Sequence, residues 1–224
     1  MRFSEAIIAH GFSVAADIKP RSPEHGDLLR GRNPVDIALQ LEALGCPCLT
    51  NVTEPVHFGG SLKILRDICR AVKIPVLRKD FIKTIDDLKA TLETGAAGVL
   101  ICCSSLPPEE NEILYRKALD LGLEPLVETC TVKEISFAEY LQAKLVGINN
   151  RDIVEFELDG GTIDKTEELI RYVAKDSLII SESGILTLED VQRAKNIGAN
   201  AVLVGSALLL ANDLGSMYQT MSAV

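Results

Sequence analysis

Along this chain, short apolar runs that end in charged or polar residues alternate with stretches whose apolar positions recur at helical spacing. The weakly amphipathic residues 3–9 predict a short opening helix. Val14-Ala15-Ala16-Asp17-Ile18-Lys19 predicts the first strand, and its period of two places Asp17 and Lys19 on one face at the exit. Residues 20–26 read as a loop, and 34–44 as a helix ended by Gly45. The second strand falls on 48–52, and Ser61 caps a helix running to about 72. The third strand is Ile74-Pro75-Val76-Leu77-Arg78-Lys79-Asp80-Phe81, an apolar run that breaks into charge. Thr84 caps the next helix, which Gly95 stops. Strands over 97–102, 124–128, 144–149, 178–181 and 201–204 then alternate with helices over 107–121, 131–141, 164–173 and 187–197. A short apolar helix follows the last strand, and residues 213–223 predict a final one.

Eight such alternations, with short β-branched or apolar strands, are the pattern of a parallel sheet buried on both faces. The units Thr94-Gly95-Ala96-Ala97-Gly98-Val99 and Ile197-Gly198-Ala199-Asn200-Ala201-Val202 repeat one another. Count and repeat predict an α/β fold, a single-domain (β/α)8 TIM barrel over residues 1–224 with a short helical segment at 1–13. A doubly wound open sheet is the alternative. It calls for a glycine-rich turn after the first strand, where this chain has Pro20-Arg21-Ser22-Pro23.

Composition narrows the function. The 224 residues are 47% hydrophobic, enough for a large core. A net charge of −9 argues against a nucleic-acid or anionic-membrane surface. No apolar run is long enough to span a bilayer and no signal peptide is evident, so the expected location is cytoplasmic. The six cysteines fit neither zinc-knuckle spacing nor a disulfide framework and read as small hydrophobes. Cys46-Pro47-Cys48 only superficially suggests redox chemistry. His10, His25 and His57 read as loop or surface residues, and no cluster has metal-ligand spacing.

The chemistry gathers at the strand exits: Asp17 and Lys19, Lys79, Glu128, Asn149 and Arg151, Glu182, and Gly205-Ser206. In a parallel barrel these ends converge on one cavity. Lysines among carboxylates supply acid–base partners whose pKa values neighbours can shift. Gly184 and Gly205-Ser206, after the last two strands, stand where such barrels bind phosphate through backbone N–H groups.

These residues resemble the motifs of indole-3-glycerol phosphate synthase. The likeness runs through Ile18-Lys19-x-x-Ser22-Pro23, Thr53-Glu54-Pro55 with Phe58-Gly59-Gly60-Ser61, and Pro75 to Phe81. It continues through Leu126-Val127-Glu128, Gly147-Ile148-Asn149-Asn150-Arg151-Asp152, Ser181-Glu182-Ser183-Gly184-Ile185 and Val204-Gly205-Ser206-Ala207-Leu208. The resemblance covers residues 14–210. It implies a lyase of tryptophan biosynthesis that closes the ring of 1-(2-carboxyphenylamino)-1-deoxyribulose 5-phosphate, losing carbon dioxide and water, without metal or organic cofactor. Related barrel isomerases and epimerases lack the Leu77-Arg78-Lys79-Asp80-Phe81 run.

Carried onto this chain, the resemblance makes Lys79 the general acid at the substrate's ketone and Glu128 the acid–base group of the later dehydration. Lys19 would contact phosphate and help expel the hydroxyl, while Asp17, Asn149 and Glu182 would orient substrate and lysines. Arg151 would lie at the anthranilate end, Phe58 and Phe81 would wall the aromatic ring, and Ser183 would contact substrate. Ser22, Gly184, Gly205 and Ser206 would join Lys19 in holding the phosphate.

Two departures stand out. The family usually has glutamate at Asp17, and it usually carries more residues ahead of this motif. The shorter carboxylate is expected to sit back by about 1–1.5 Å, so that restoring glutamate raises kcat. Asn51 is also polar where an apolar residue is expected. A second function class therefore stays open: a repurposed or non-catalytic barrel that binds a sugar phosphate as a regulatory or assembly subunit.

Overall fold

Each barrel strand turns one set of side chains into the barrel and the other out towards the helices, and this period of two builds the whole molecule. A computed structural model describes residues 1–151 and 162–224. Asp152, part of the motif above, lies outside them. The strands are β1 Ser13–Ile18, β4 Leu49–Val52, β5 Val76–Lys79, β6 Gly98–Cys102, β7 Glu124–Thr129, β8 Leu145–Asn149, β9 Leu178–Glu182 and β10 Ala201–Val204. They pair in parallel and close in the order β1-β10-β9-β8-β7-β6-β5-β4. The fold is the single-domain (β/α)8 barrel read from the sequence.

Helices α2 Pro34–Ala43, α3 Leu62–Ala71, α4 Ile85–Thr94, α5 Pro108–Asp120, α6 Val132–Tyr140, α7 Asp164–Leu169 and α8 Leu188–Asn196 follow successive strands. The expected caps are in place. The Ser61 hydroxyl accepts from the Ile64 N–H, and Thr84 and Asp87 cap one another's backbone at the start of α4. Beyond α7 the helix tightens into a 3-10 turn over Ile170–Tyr172 and not the full α-helix expected to 173. Helix α9 Ser206–Leu210 follows β10, and α10 Leu214–Ser222 returns across α2, where the buried Tyr218 hydroxyl donates to the Val14 carbonyl at 3.1 Å.

The loop expected at 20–26 contains an antiparallel hairpin, β2 Arg21–Ser22 with β3 Gly26–Asp27. Arg21 anchors it to the loop after β4, donating to the Val56 and His57 carbonyls. The carboxylate of Glu54 holds that second loop by accepting the N–H groups of Val56, His57 and Phe58.

Inside the barrel the lower layers are apolar. Ala15, Leu77, Leu100, Leu126, Leu145, Ile180 and Leu203 form one cluster, closed underneath by Phe3 and Ile7 of α1 Phe3–His10. Glu124 at the start of β7 accepts from the Ser4 N–H and hydroxyl, which fastens α1 across this end. The helices pack outside against Val14, Ile18, Leu49, Val202 and their neighbours. At the other end the inward positions turn polar, and the site lies there.

Candidate active site

Two residues beyond the inward-facing Leu77, period two turns Lys79 into the barrel mouth. Its outward neighbour Arg78 is buried on the other side of the strand. The Arg78 guanidinium donates to Thr53 Oγ1 (2.8 Å), the Asp87 carbonyl (2.9 Å), Thr91 Oγ1 (2.9 Å) and Asp80 Oδ2 (2.8 Å). That network ties the end of β5 to β4 and α4, so the backbone carrying Lys79 has little freedom.

The ammonium of Lys79 donates to Glu128 Oε2 at 2.7 Å and to Glu182 Oε2 at 2.9 Å. Both carboxylates are buried. Burial opposes the charge on Lys79, but Glu128, Glu182 and Asp17 outweigh it and hold its pKa well above the lysine range. For Glu182, burial dominates. Together with Glu128 it overcomes the attraction of Lys79 and pushes the pKa up to about 7. One ammonium among three carboxylates thus leaves Glu182 harder to ionise than an ordinary glutamate.

Glu182 has this place because β8 carries glycine under its carboxylate. A methyl group at Gly147 would overlap the Glu182 carboxylate. Glu182 Oε1 and Glu128 Oε1 are buried and accept no hydrogen bond among the described residues. Neither atom is reached by solvent, and of the two residues Glu128 lines one of the cavities at this mouth.

Asp17 is buried on β1, and the hydroxyl of Thr50, its register partner on β4, donates to its Oδ1. Asn149 is the register partner of Glu182, and its Oδ1 accepts from the Arg151 N–H at 3.0 Å. The Arg151 guanidinium reaches across the mouth to Glu24 of the β2–β3 hairpin at 2.7 Å. Hydrogen bonding to Arg151 holds the Glu24 carboxyl below its usual range. Lys19, just past β1, sits with its ammonium 5.6 Å from the centre of the Phe58 ring. Asn51, unexpectedly polar on β4, is buried and donates to the Ile18 carbonyl at 2.8 Å.

An open cavity of about 450 Å³ lies over this cluster. Asp17, Lys19, Lys79 and Arg151 form its charged walls, and the Ser183-Gly184 and Gly205-Ser206 turns form another side. Ser183 and Gly184 both have positive φ, 63° and 70°. A neighbouring recess is lined by Glu128, Asn149, Arg151 and Cys102.

Of the residues singled out in the sequence, Lys79, Glu128, Glu182, Asp17, Asn149, Arg151, Lys19, Ser183, Gly184, Gly205 and Ser206 converge on this mouth. Phe58 borders it only through Lys19, and Phe81, half-buried beyond β5, lines neither cavity. Ser22 also lies apart: its buried hydroxyl accepts from the His25 N–H and closes the hairpin turn. Sequence reasoning missed Glu24, Thr50, Gly147 and Asn150 as parts of the site. Gly147 and Asn150 carried a signal, since both stand in the motif around Asn149.

The thiols at Cys46 and Cys48 are free and buried. Burial pushes Cys46 up to about 11, and its Sγ donates to the Cys48 carbonyl, so both behave as core residues. His10, His25 and His57 lie at exposed or half-exposed positions. Among the described residues no group of three or more His, Cys, Asp or Glu is placed to hold a metal ion, and no helix is long and apolar enough to cross a membrane.

The closed barrel and the charged cluster at its carboxyl end define a (β/α)8-barrel enzyme. Comparison with known proteins makes this specific. The chain belongs to the indole-3-glycerol phosphate synthase family, whose model matches residues 1–221. It is 40% identical to the indole-3-glycerol phosphate synthase of Thermococcus kodakarensis over 201 residues, 90% of this chain and 88% of that one. It is 42% identical to that of Listeria welshimeri over 196 residues, 88% of this chain and 76% of that one. Among solved structures, the N-acetylmannosamine-6-phosphate 2-epimerase of Clostridium perfringens superposes with a TM-score of 0.67 at 16% identity, covering 88% of this chain and 86% of that one. That likeness supports the barrel fold alone.

Proposed function

We propose that this chain catalyses the closure of 1-(2-carboxyphenylamino)-1-deoxyribulose 5-phosphate to indole-3-glycerol phosphate, a decarboxylating lyase step of tryptophan biosynthesis. The observation that carries this is the Lys79 ammonium clamped between Glu128 and Glu182 in a chain of this family. A cytoplasmic setting belongs to the same proposal.

Ring closure places a carbon of the aromatic ring on the substrate's ketone carbon, and the ketone oxygen gathers negative charge as it does so. Lys79 meets that charge with a fixed ammonium and gives up a proton as the oxygen becomes a hydroxyl. The carboxylates around Lys79 keep it protonated until then. Loss of carbon dioxide follows from the ring carbon that made the new bond, and its C–C bonding pair restores the aromatic ring. Expelling the hydroxyl as water then needs a proton donor and a base; Glu128, with one oxygen unengaged, is suited to move the proton, and Lys19 to stabilise the departing hydroxyl. Glu182 and Asp17 orient the lysines. Arg151, fixed by Asn149, faces the carboxylate end, and the Ser183-Gly184 and Gly205-Ser206 turns hold the phosphate with Lys19.

The alternative of a non-catalytic barrel finds no support in a site that keeps both the lysine and its carboxylates. The test is a fluorescence assay of purified protein with the synthetic anthranilate–ribulose phosphate. Indoleglycerol phosphate should form, and Lys79→Ala should cut turnover by about 10²–10⁴-fold with unchanged circular dichroism. Absence of product at saturating substrate would overturn the reading.

A further inference from the structure

The turn after β9 holds a serine, Ser183, in the left-handed region at φ 63°. A serine there is strained and persists only where its surroundings hold it. Those surroundings centre on Asn150. Its Nδ2 shares its two hydrogens among Ser181 Oγ at 3.0 Å, the Glu182 carbonyl at 2.9 Å and the Ser183 carbonyl at 3.0 Å. Its Oδ1 accepts from the Thr166 N–H at 3.0 Å and the Thr166 hydroxyl at 2.8 Å. Its own N–H donates to the Glu182 carbonyl at 2.8 Å.

Asn150 is 4% exposed and lines neither cavity, so it is in no position to touch a ligand. A buried amide with both ends engaged has one acceptable orientation. That orientation fixes the peptide joining Ser183 to Gly184. In a trans peptide the carbonyl and the N–H point to opposite sides. With the Ser183 carbonyl held by Asn150, the Gly184 N–H faces away from Asn150. That N–H makes no hydrogen bond among the described residues, and Gly184 lines the cavity.

We propose that Asn150 is a positioning residue for the anion site: by holding the Ser183 carbonyl it turns the Gly184 N–H into the cavity, where it donates to an oxygen of the substrate's phosphate. This rests on the phosphate reading of that cavity. Inorganic phosphate, as a competitor of the substrate, tests both. The wild type should be inhibited competitively. Asn150→Ala should raise the phosphate inhibition constant and KM by about tenfold or more, with kcat within about threefold. Asn150→Ser carries the same expectation should the alanine variant not fold.

Thr166→Val serves as a control. It loosens the same cluster from the far side, so it should lower Tm yet leave the inhibition constant within about twofold. A wild type indifferent to phosphate removes the phosphate reading and this role with it. A phosphate-sensitive wild type with Asn150 variants that bind phosphate equally well removes the role of Asn150 alone. So does a Thr166→Val variant that weakens phosphate as much as Asn150→Ala at equal loss of Tm.

Discussion

Asp17 shows how a site accommodates one methylene fewer. From sequence the shorter carboxylate reads as a defect, because it should retract from Lys19 and Lys79. In the fold, the Thr50 hydroxyl across β4 gives its Oδ1 a fixed partner. Gly205 carries no side chain, and on that side Asp17 lines the cavity. A glutamate would carry its carboxylate past Thr50 and further into the cavity that Asp17 lines. Asp17→Glu is therefore expected to lower kcat by roughly 10- to 10²-fold, the scale of a displacement of about 1 Å near reacting groups. Measured kcat values for the two proteins decide this, and a higher value for the glutamate variant would mean that Asp17 is a defect, as the sequence suggests. Lys79 was legible as a functional residue because a lysine ending an apolar run is a local signal. Thr50 was not, because its partner lies 33 residues away and only the pairing of β1 with β4 joins them.

At the level of the element, a strand is specified as much by what it omits as by what it carries. Gly147 sits in the middle of β8, where glycine weakens a strand, and its missing side chain is the space that Glu182 occupies. Gly147→Ala should force the carboxylate off Lys79, lowering kcat by about 10²-fold while KM changes less. The check is steady-state kinetics alongside circular dichroism; wild-type kcat in a folded variant would mean that Glu182 has room to move without consequence. The helices and their caps were legible because Ser61, Thr84 and Gly95 act within a few residues of themselves. The β2–β3 hairpin was not, since its strands are two residues each and it is anchored from outside by Arg21 on the loop after β4.

Across the whole molecule, the two barrel ends divide the work. The lower end is apolar and plugged by α1, with Phe3 fully buried and Ser4 bound to Glu124. The upper end carries the cluster of Lys79, Glu128, Glu182 and Asp17. Phe3→Ala should cost about 3–5 kcal/mol of stability, as large buried aromatics do, and leave KM and kcat at the opposite end nearly unchanged. Thermal melts and kinetics on the same preparation test this; a matching loss of activity in the folded protein would mean that the ends are coupled. The sequence by itself determined the barrel, since strand and helix periodicities and their caps are read within a few residues. It also determined which residue types stand at the strand exits. What only the tertiary structure decided is who meets whom. Lys79 is 49 residues from Glu128 and 103 from Glu182, and Arg151 is 127 from Glu24. Those contacts, and the proton balance they set at Glu182, exist only once closure of the sheet brings distant strand ends around one axis and burial strengthens charges that water would screen.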